Sequence, residues 1–298
     1  MQKITPFLWF DNNAEEAIHF YTSIFKDSSV GRLTRYGEAG PGKRGTVMTG
    51  AFQISGLEFM ALNGGPLFKF TPAISFFVHC QTEQEIDGLW KHLSESGTAL
   101  MELDKYPFSE RYGWVADRFG LSWQLMLTRT PQKVFPFLMY VGKQNGRAEE
   151  AVMFYTSIFK NSQTLMAEKY GKGGPMPEGA LVHGRFLLEG EEFIAMDGGV
   201  DHQFTFTEAT SFFVTCTSQE EIDEFWERLS EGGEEGQCGW LKDRYGVSWQ
   251  IVPTILGEML QDKDPDRAKR VTMAMLQMKK LDIAQLGEAY NRGRRIDE

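Results

Sequence analysis

Hydrophobic and polar positions along the chain switch repeatedly between a period of two and a period near 3.6, the signatures of strand and helix. The segment ITPFLWF (4–10) is β-like, and Asn13 stands as an N-cap before AEEAIHFYTSIF, where Ala14, Ala17, Ile18, Tyr21 and Phe25 mark one helical face. SSVGRLTRY, GTVMTGAFQIS and LEFMALN follow as short strands with Gly-rich joints. AISFFVHC then opens a second cycle. It leads into the helix EQEIDGLWKHLSES, with Ile86, Leu89, Trp90 and Leu93 at core spacing, and closes on the strands GWVADR and LSWQLML, joined by an Asp-Arg-Phe-Gly turn.

This βαβββ order occurs twice and then returns. FYTSIFKDS (20–28) comes back as FYTSIFKNS (154–162), EIDGLWKHLSESG (85–97) as EIDEFWERLSEGG (221–233), and GWVADRFGLSWQ (113–124) as GWLKDRYGVSWQ (239–250). Three matches in the same order at a period of about 130 residues make each copy a domain, not a solenoid repeat. The predicted division is 1–130, 131–255 and a helical tail at 256–298, with the first break at Thr130-Pro131-Gln132-Lys133. The copies differ in two places. TALMELDKYPFSERY, after Gly97, shrinks to EEGQC after Gly233, whereas the second copy adds residues near Val141–Asn145. Insertions of this kind sit in exposed loops, so the two ligand-facing surfaces are expected to differ.

In the tail, Asp264-Pro265 caps and starts a helix carrying Val271, Met275 and Met278 on one face, and Asp282 caps a second, DIAQLGEAY. A methionine-rich amphipathic helix of this kind packs on its own domain or, as the lesser alternative, on a partner subunit.

Composition narrows the function. Thirty-one basic against 41 acidic side chains give a net charge of −10, which argues against a phosphate-tracking nucleic-acid binder. No apolar run approaches the ~18 residues that span a bilayer, and MQKITPFLWF lacks the layout of a signal peptide, so a cytoplasmic protein is expected. Cys80, Cys216 and Cys238 form no Cys-x-x-Cys pair and read as small buried residues.

The strings ITPFLWFDNNAEEAIHFYTSIF, ALNGGPLFKFTPAISFFV and DRFGLSWQ, with their second-copy equivalents, resemble the PhnB-like branch of the vicinal oxygen chelate superfamily, over about residues 4–128 and 134–253. That superfamily includes glyoxalase I, bleomycin-resistance proteins and extradiol dioxygenases, and this branch is often labelled 3-demethylubiquinone 3-methyltransferase. The resemblance implies an α+β fold of tandem glyoxalase-like domains: four βαβββ units with curved mixed sheets, helices on one face and a ligand-cupping face on the other, plus the helical tail. It also implies a divalent metal held by His and Glu from first and last strands, open to vicinal substrate oxygens. Here the matching positions fall at Pro6 and Pro136, near Ala73 and Ala209, near Phe59 and Phe193, and at Gln124 and Gln250. None is a good transition-metal ligand, although the two amides can donate and accept hydrogen bonds.

The histidines agree with that comparison. His19, His79, His92 and His183 are Met153, Thr215, Arg228 and Thr49 in the other copy, and His202 lies in a short insertion, so no histidine is duplicated. His19 and His92 are expected on solvated helix faces. Period-two alternation puts Ser122, Gln124 and Met126 on one face of the last strand. By resemblance that face lines the cup, with Leu8, Phe10 and Phe59 in the first copy and Leu138, Tyr140, Phe193, Ser248 and Gln250 in the second. Such a surface suits a small organic ligand, unless the cups are filled by their own side chains. Asp117-Arg118 and Asp243-Arg244 read as turn formers ahead of Gly120 and Gly246, Trp90 and Trp226 as core residues, and GEAGPGKRG (37–45) lacks the pattern of a phosphate loop.

Three functions remain in view: a small-molecule binder of the superfamily with no catalytic metal and no other cofactor, a methyltransferase as the label says, and a non-catalytic sequestration or regulatory module. The second lacks the Gly-rich strand-to-helix loop of the usual methyl-donor fold. In the others, the two repeats are expected to act as an internal pseudo-dimer, with a homodimer as a further possibility, and without nucleic acid or membrane.

Overall fold

The period-two segments fold as strands and the amphipathic ones as helices. The structure, a computed structural model, describes residues 2–36, 42–174, 176–199 and 202–292; the first five residues of the glycine-rich stretch 37–45 lie outside them. The first copy runs β1 (Ile4–Phe10), α1 (Ala14–Ile24), β2 (Ser29–Arg35), β3 (Val47–Ile54), β4 (Leu57–Asn63), β5 (Ile74–Cys80), α2 (Glu83–Ser94), β6 (Thr98–Tyr106), β7 (Ser109–Ala116) and β8 (Ser122–Leu127). The second repeats the order with β9 (Lys133–Tyr140), α3 (Ala148–Ile158), β10 (Gln163–Lys169), β11 (Leu181–Leu188), β12 (Glu191–Asp197), β13 (Thr210–Cys216), α4 (Gln219–Ser230), β14 (Glu234–Glu235), β15 (Trp240–Lys242) and β16 (Ser248–Pro253). Three helices end the chain: α5 (Thr254–Leu260), α6 (Pro265–Met275) and α7 (Ile283–Asn291). The four βαβββ units and the helical tail are those the sequence pattern predicts. The tail begins at 254, two residues before the predicted 256, and carries one helix beyond the two predicted, because Pro253 ends β16 and α5 follows directly.

Contacts divide the chain into two compact units, one of residues 5–210 and one of residues 211–298 with the first four. The larger unit contains a mixed eight-stranded sheet in the order β10-β11-β12-β9-β5-β8-β7-β6. Its centre is an antiparallel ladder between β5 and β9, from Ile74 opposite Leu138 to His79 opposite Lys133. The second half of copy one and the first half of copy two therefore share one sheet. The same unit holds β1, β4, β3 and β2 as neighbours in that order, with β1 and β4 parallel. The smaller unit holds β14, β15, β16 and β13, with β13 and β16 parallel.

Helices α1 and α2 cover one face of their strands. Ile18, Tyr21, Ile86, Leu89 and Leu93 join Leu8, Phe10, Phe59, Phe76 and Trp123 in one buried cluster, the dry interior that supplies most of the folding drive. The start of α1 departs from expectation. Asn13 makes no side-chain cap; Asn63, at the end of β4, accepts from the Ala14 amide at 2.8 Å instead. Asp197 does the same in copy two, accepting from Gly146 and Ala148. The helix start is thus tied to the strand beside it, and the orphan amides are satisfied from outside the helix.

The Asp-Arg-Phe-Gly segment is a turn. Asp117 Oδ1 accepts from the Phe119 and Leu121 amides, its Oδ2 accepts from Tyr21 Oη at 2.7 Å and Trp123 Nε1 at 2.9 Å, and Gly120 sits at φ +85°. Burial pushes this carboxyl above its ordinary pKa against those four donors. Asp243 makes the same turn, accepting from Tyr245, Val247 and Trp249 Nε1, with Gly246 at φ +91°.

Candidate functional site

Gln124 lies in β8 on the face turned away from α2. Its neighbours across the sheet on that face are Ser75 and Phe77 of β5, Phe135, Phe137 and Met139 of β9, and Tyr112 and Trp114 of β7. Phe77, Tyr112, Trp114, Phe135, Phe137, Met139 and Ile194 form a second buried cluster there. Every polar group in its middle is paired. Gln124 Nε2 donates to Ser75 Oγ at 2.7 Å, Tyr112 Oη donates to Gln124 Oε1 at 2.6 Å, and Trp114 Nε1 donates to Ser122 Oγ at 2.8 Å. Burial raises the Tyr112 phenol well above its ordinary pKa, so it stays a donor. Tyr112 belongs to the long β6–β7 hairpin, and Tyr106, Phe108 and Met101 of that hairpin pack around it.

Towards the other end, this face becomes charged. Arg185 Nη2 meets Glu192 Oε1 at 2.5 Å, with the Glu192 side chain 8% exposed, and Lys133 Nζ lies 3.6 Å from its other oxygen. His79 packs edge-on to Phe135. Burial, then the positive Arg185, pushes its pKa down to about 4, which leaves the ring neutral at pH 7. Burial lowers the His183 pKa as well. His19 and His92 are exposed, as expected of solvated helix positions.

The smaller unit repeats the strand residues without the same partners. Gln250 Nε2 donates to Ser211 Oγ at 3.0 Å, and both side chains are buried. Ser248 Oγ, in a residue 1% exposed, has no hydrogen-bond partner among the described residues. Cys238 stands where copy one has Tyr112, its thiol set towards Met275 O at 3.6 Å and its amide donating to Met278 O at 2.7 Å. Val252 and Phe213, on the Gln250 face, pack with Leu256, Met259, Val271, Met275, Met278, Leu281 and Leu286. The tail covers the sheet where copy one uses its hairpin, on its own unit as the sequence predicts. Burial holds Cys216 up to about 12 and raises Cys238, so neither thiol ionises at neutral pH.

The predicted lining residues split between two faces. Ser122, Gln124, Ser248 and Gln250 lie on the faces opposite the helices. Leu8, Phe10 and Phe59 lie in the α1–α2 core, Tyr140 reaches Tyr155 of α3 at 3.4 Å and packs on Phe206, Leu138 shares its parity, and Phe193 stacks on Phe186, opposite Ile194. This corrects the face assignment of those six. For Leu8, Phe10, Leu138 and Tyr140 the reason is that β1 and β9 are apolar on both faces and almost wholly buried; alternation gives no phase there, and a one-residue error moves every side chain to the wrong side. The expectation for Phe59 and Phe193, on β4 and β12, rests on the resemblance alone. Ser75, Ser211, Tyr112 and Trp114 were missed. The Ser-Phe-Phe-Val shared by β5 and β13 is the signal by which the two serines could have been found. Among the described residues, no group of three His, Cys, Asp or Glu side chains comes together to hold a metal ion, and no helix is long and apolar enough to cross a membrane.

A family model described as 3-demethylubiquinone-9 3-methyltransferase matches residues 2–126 and again 132–252. Among solved structures, a PhnB protein from Bacillus cereus, provisionally described as a 3-demethylubiquinone-9 3-methyltransferase, is 49% identical over 43% of this chain and all of its own, with a TM-score of 0.42. Glyoxalase I from Zea mays is 10% identical, covering 83% of this chain and 92% of its own, with a TM-score of 0.53, a likeness of fold. No curated protein matches.

Proposed function

Because the chain belongs to the family described as 3-demethylubiquinone-9 3-methyltransferase, in two tandem PhnB-like copies with the glyoxalase fold of the vicinal oxygen chelate superfamily, we propose a function from its own residues and not from that label: binding of a small, uncharged organic molecule on a glutamine-bearing sheet face, without a catalytic metal. The observation that carries this reading is the buried amide–hydroxyl pair that both copies place on that face, Gln124 with Ser75 and Gln250 with Ser211. A neutral amide is a weak ligand for a divalent metal, but it is a directional hydrogen-bonding group, and set among aromatic and methionine side chains it suits a neutral ligand. Beside the amide, among those side chains, a charged ligand would lose its hydration with no opposite charge to meet it; the Arg185, Glu192 and Lys133 charges lie at the other end of the copy-one face and are paired with one another.

The test is a thermal-shift series on the purified full chain with zinc, nickel, S-adenosylmethionine and a panel of small neutral aromatic and aliphatic alcohols and amides, alongside elemental analysis. A ligand selective for the native state raises the melting temperature by mass action. Stabilisation by members of the organic panel, with no stoichiometric metal, is expected. Stoichiometric metal lost on substituting His79 or His183, or saturable stabilisation by S-adenosylmethionine alone, overturns the reading.

A further inference from the structure

We infer that only the second copy's face is a ligand site, and that Ser248 and Gln250 there receive an uncharged molecule with a phenol- or alcohol-type O–H; this rests on the reading that the glutamine-bearing faces take small organic molecules. The two faces carry the same strand residues, Ser75, Ser122 and Gln124 against Ser211, Ser248 and Gln250. In copy one, three protein donors close the network: Gln124 gives its N–H to Ser75, and the side chains of Tyr112 and Trp114 occupy Gln124 Oε1 and Ser122 Oγ. Gln124, Ser75 and Ser122 thus each already have a protein partner. In copy two, Ser248 Oγ is buried and unpartnered, and among the described residues Gln250 bonds only Ser211. A buried, unpaired hydroxyl has given up its hydration with nothing in return, and native proteins leave few of them.

What is missing in copy two identifies the occupant. Tyr112 is itself a phenol that donates to the last-strand glutamine at 2.6 Å. Its sequence-matched residue is Cys238, which has no ring and turns its thiol to Met275 O at 3.6 Å. A free phenol or aryl alcohol that gives its O–H to Gln250 Oε1, as Tyr112 does to Gln124 Oε1, would offer its oxygen as an acceptor to the unpartnered Ser248 hydroxyl. The covering residues Met275 and Met278 are flexible thioethers that adapt to an irregular apolar guest. The first copy thus carries the ligand's functional group covalently, as a tyrosine.

The experiment uses the full chain and four probes: phenol, its donor-free match anisole, benzyl alcohol, and the charged benzoate, titrated by ligand-observed NMR. Phenol and benzyl alcohol are expected to bind, with anisole and benzoate at least about tenfold weaker, the equivalent of one hydrogen bond. Gln250→Leu and Ser248→Ala should each weaken phenol by about three- to tenfold, and Gln124→Leu should leave it within about twofold. Ser248→Ala strands no partner, so it remains informative should Gln250→Leu not fold. Equal or greater loss in Gln124→Leu, or phenol and anisole binding alike, overturns the one-sided site while leaving the binding reading intact. A crystal soaked with phenol that holds only a water on Ser248 and Gln250 does the same. Failure of all four probes to bind overturns both.

Discussion

The strands β5–β8 and β13–β16 place the same serine and glutamine residues at the same register, yet one set is fully hydrogen-bonded and in the other the Ser248 hydroxyl has no partner among the described residues. Ser75 pairs with Ser122 across the parallel β5–β8 ladder and Ser211 with Ser248 across β13–β16. The difference lies in what covers them. Copy one folds residues 98–112 into a long hairpin that brings the Tyr112 phenol to the face, whereas copy two is ten residues shorter there, has Cys238 in its place and is covered by Leu256, Met259, Met275 and Met278 of the tail; the tryptophan position is kept as Trp114 and Trp240, but only Trp114 donates to the last-strand serine. The hydrogen-bonding state of a sheet face is therefore decided by its cover, and a duplicated strand can be structural in one copy and receptive in the other.

Removing the cover is the strongest way to break the comparison. A chain ending at Pro253 loses Leu256, Met259, Val271, Leu281 and Leu286, all buried. At about 1.5–3 kcal/mol for each buried apolar side chain, the loss is on the order of 10 kcal/mol, as large as the whole stability of a typical domain. The smaller unit should unfold. Amide hydrogen exchange is expected to show β13 and β16 unprotected and β5, β8 and β9 still protected; retained protection in β16 would mean that the tail is dispensable.

The turn aspartates sharpen the comparison from the other side, since they should behave alike. Asp117→Ala strands Tyr21 Oη, Trp123 Nε1 and two amides, and Asp243→Ala strands Trp249 Nε1 and two amides. At ~1–3 kcal/mol per orphaned buried group, partly relaxed, each should lose about 3–5 kcal/mol in urea unfolding. Losses under about 1 kcal/mol in either would contradict the turn role.

Much of this architecture was legible in the sequence, because the evidence for it is periodic or repeated. The α1 and α2 faces, the Asp-Arg-Phe-Gly and Asp-Arg-Tyr-Gly turns, and the caps Asp264 and Asp282 all follow local rules, and the structure has them in place. The site was half legible. The face that carries Gln124 and Gln250 is readable because β8 and β16 match across copies and have a clear phase; Leu8, Phe10, Leu138 and Tyr140 lie on the face opposite to the expected one because β1 and β9 are buried on both and give no phase. The β5–β9 ladder, which joins the copies in one sheet, was not legible at all. Pairing between strands so far apart leaves no mark in a local pattern. The Asn63 and Asp197 caps escaped for the same reason, since each acts on a helix nearly 50 residues earlier.

Of the substitutions, the serines give a smaller but more selective contrast. Ser122→Ala removes the acceptor of Trp114 Nε1 and should cost about 1–2 kcal/mol. Ser248→Ala removes a hydroxyl that has no partner and should be neutral or slightly stabilising without ligand. Paired urea titrations settle it; equal costs would show that Ser248 is already satisfied in the free protein.

The smallest expected effect is a difference in acid sensitivity. His79 in β5 is Thr215 in β13, so only the larger unit carries an imidazole at this position. Its folded pKa of about 4 lies below the ordinary 6.5, chiefly through burial. Between those values the unfolded chain binds the proton and the folded one does not, so stability falls as pH drops from 6.5 to 4 and is level in this respect above and below that window. The ring is only half-buried, and solvent screening keeps the effect modest. Urea midpoints at pH 7 and pH 5 should therefore move less in His79→Thr than in the parent chain, and Thr215→Ala should leave the pH dependence unchanged. An identical pH slope in His79→Thr would assign the acid response to groups other than this histidine.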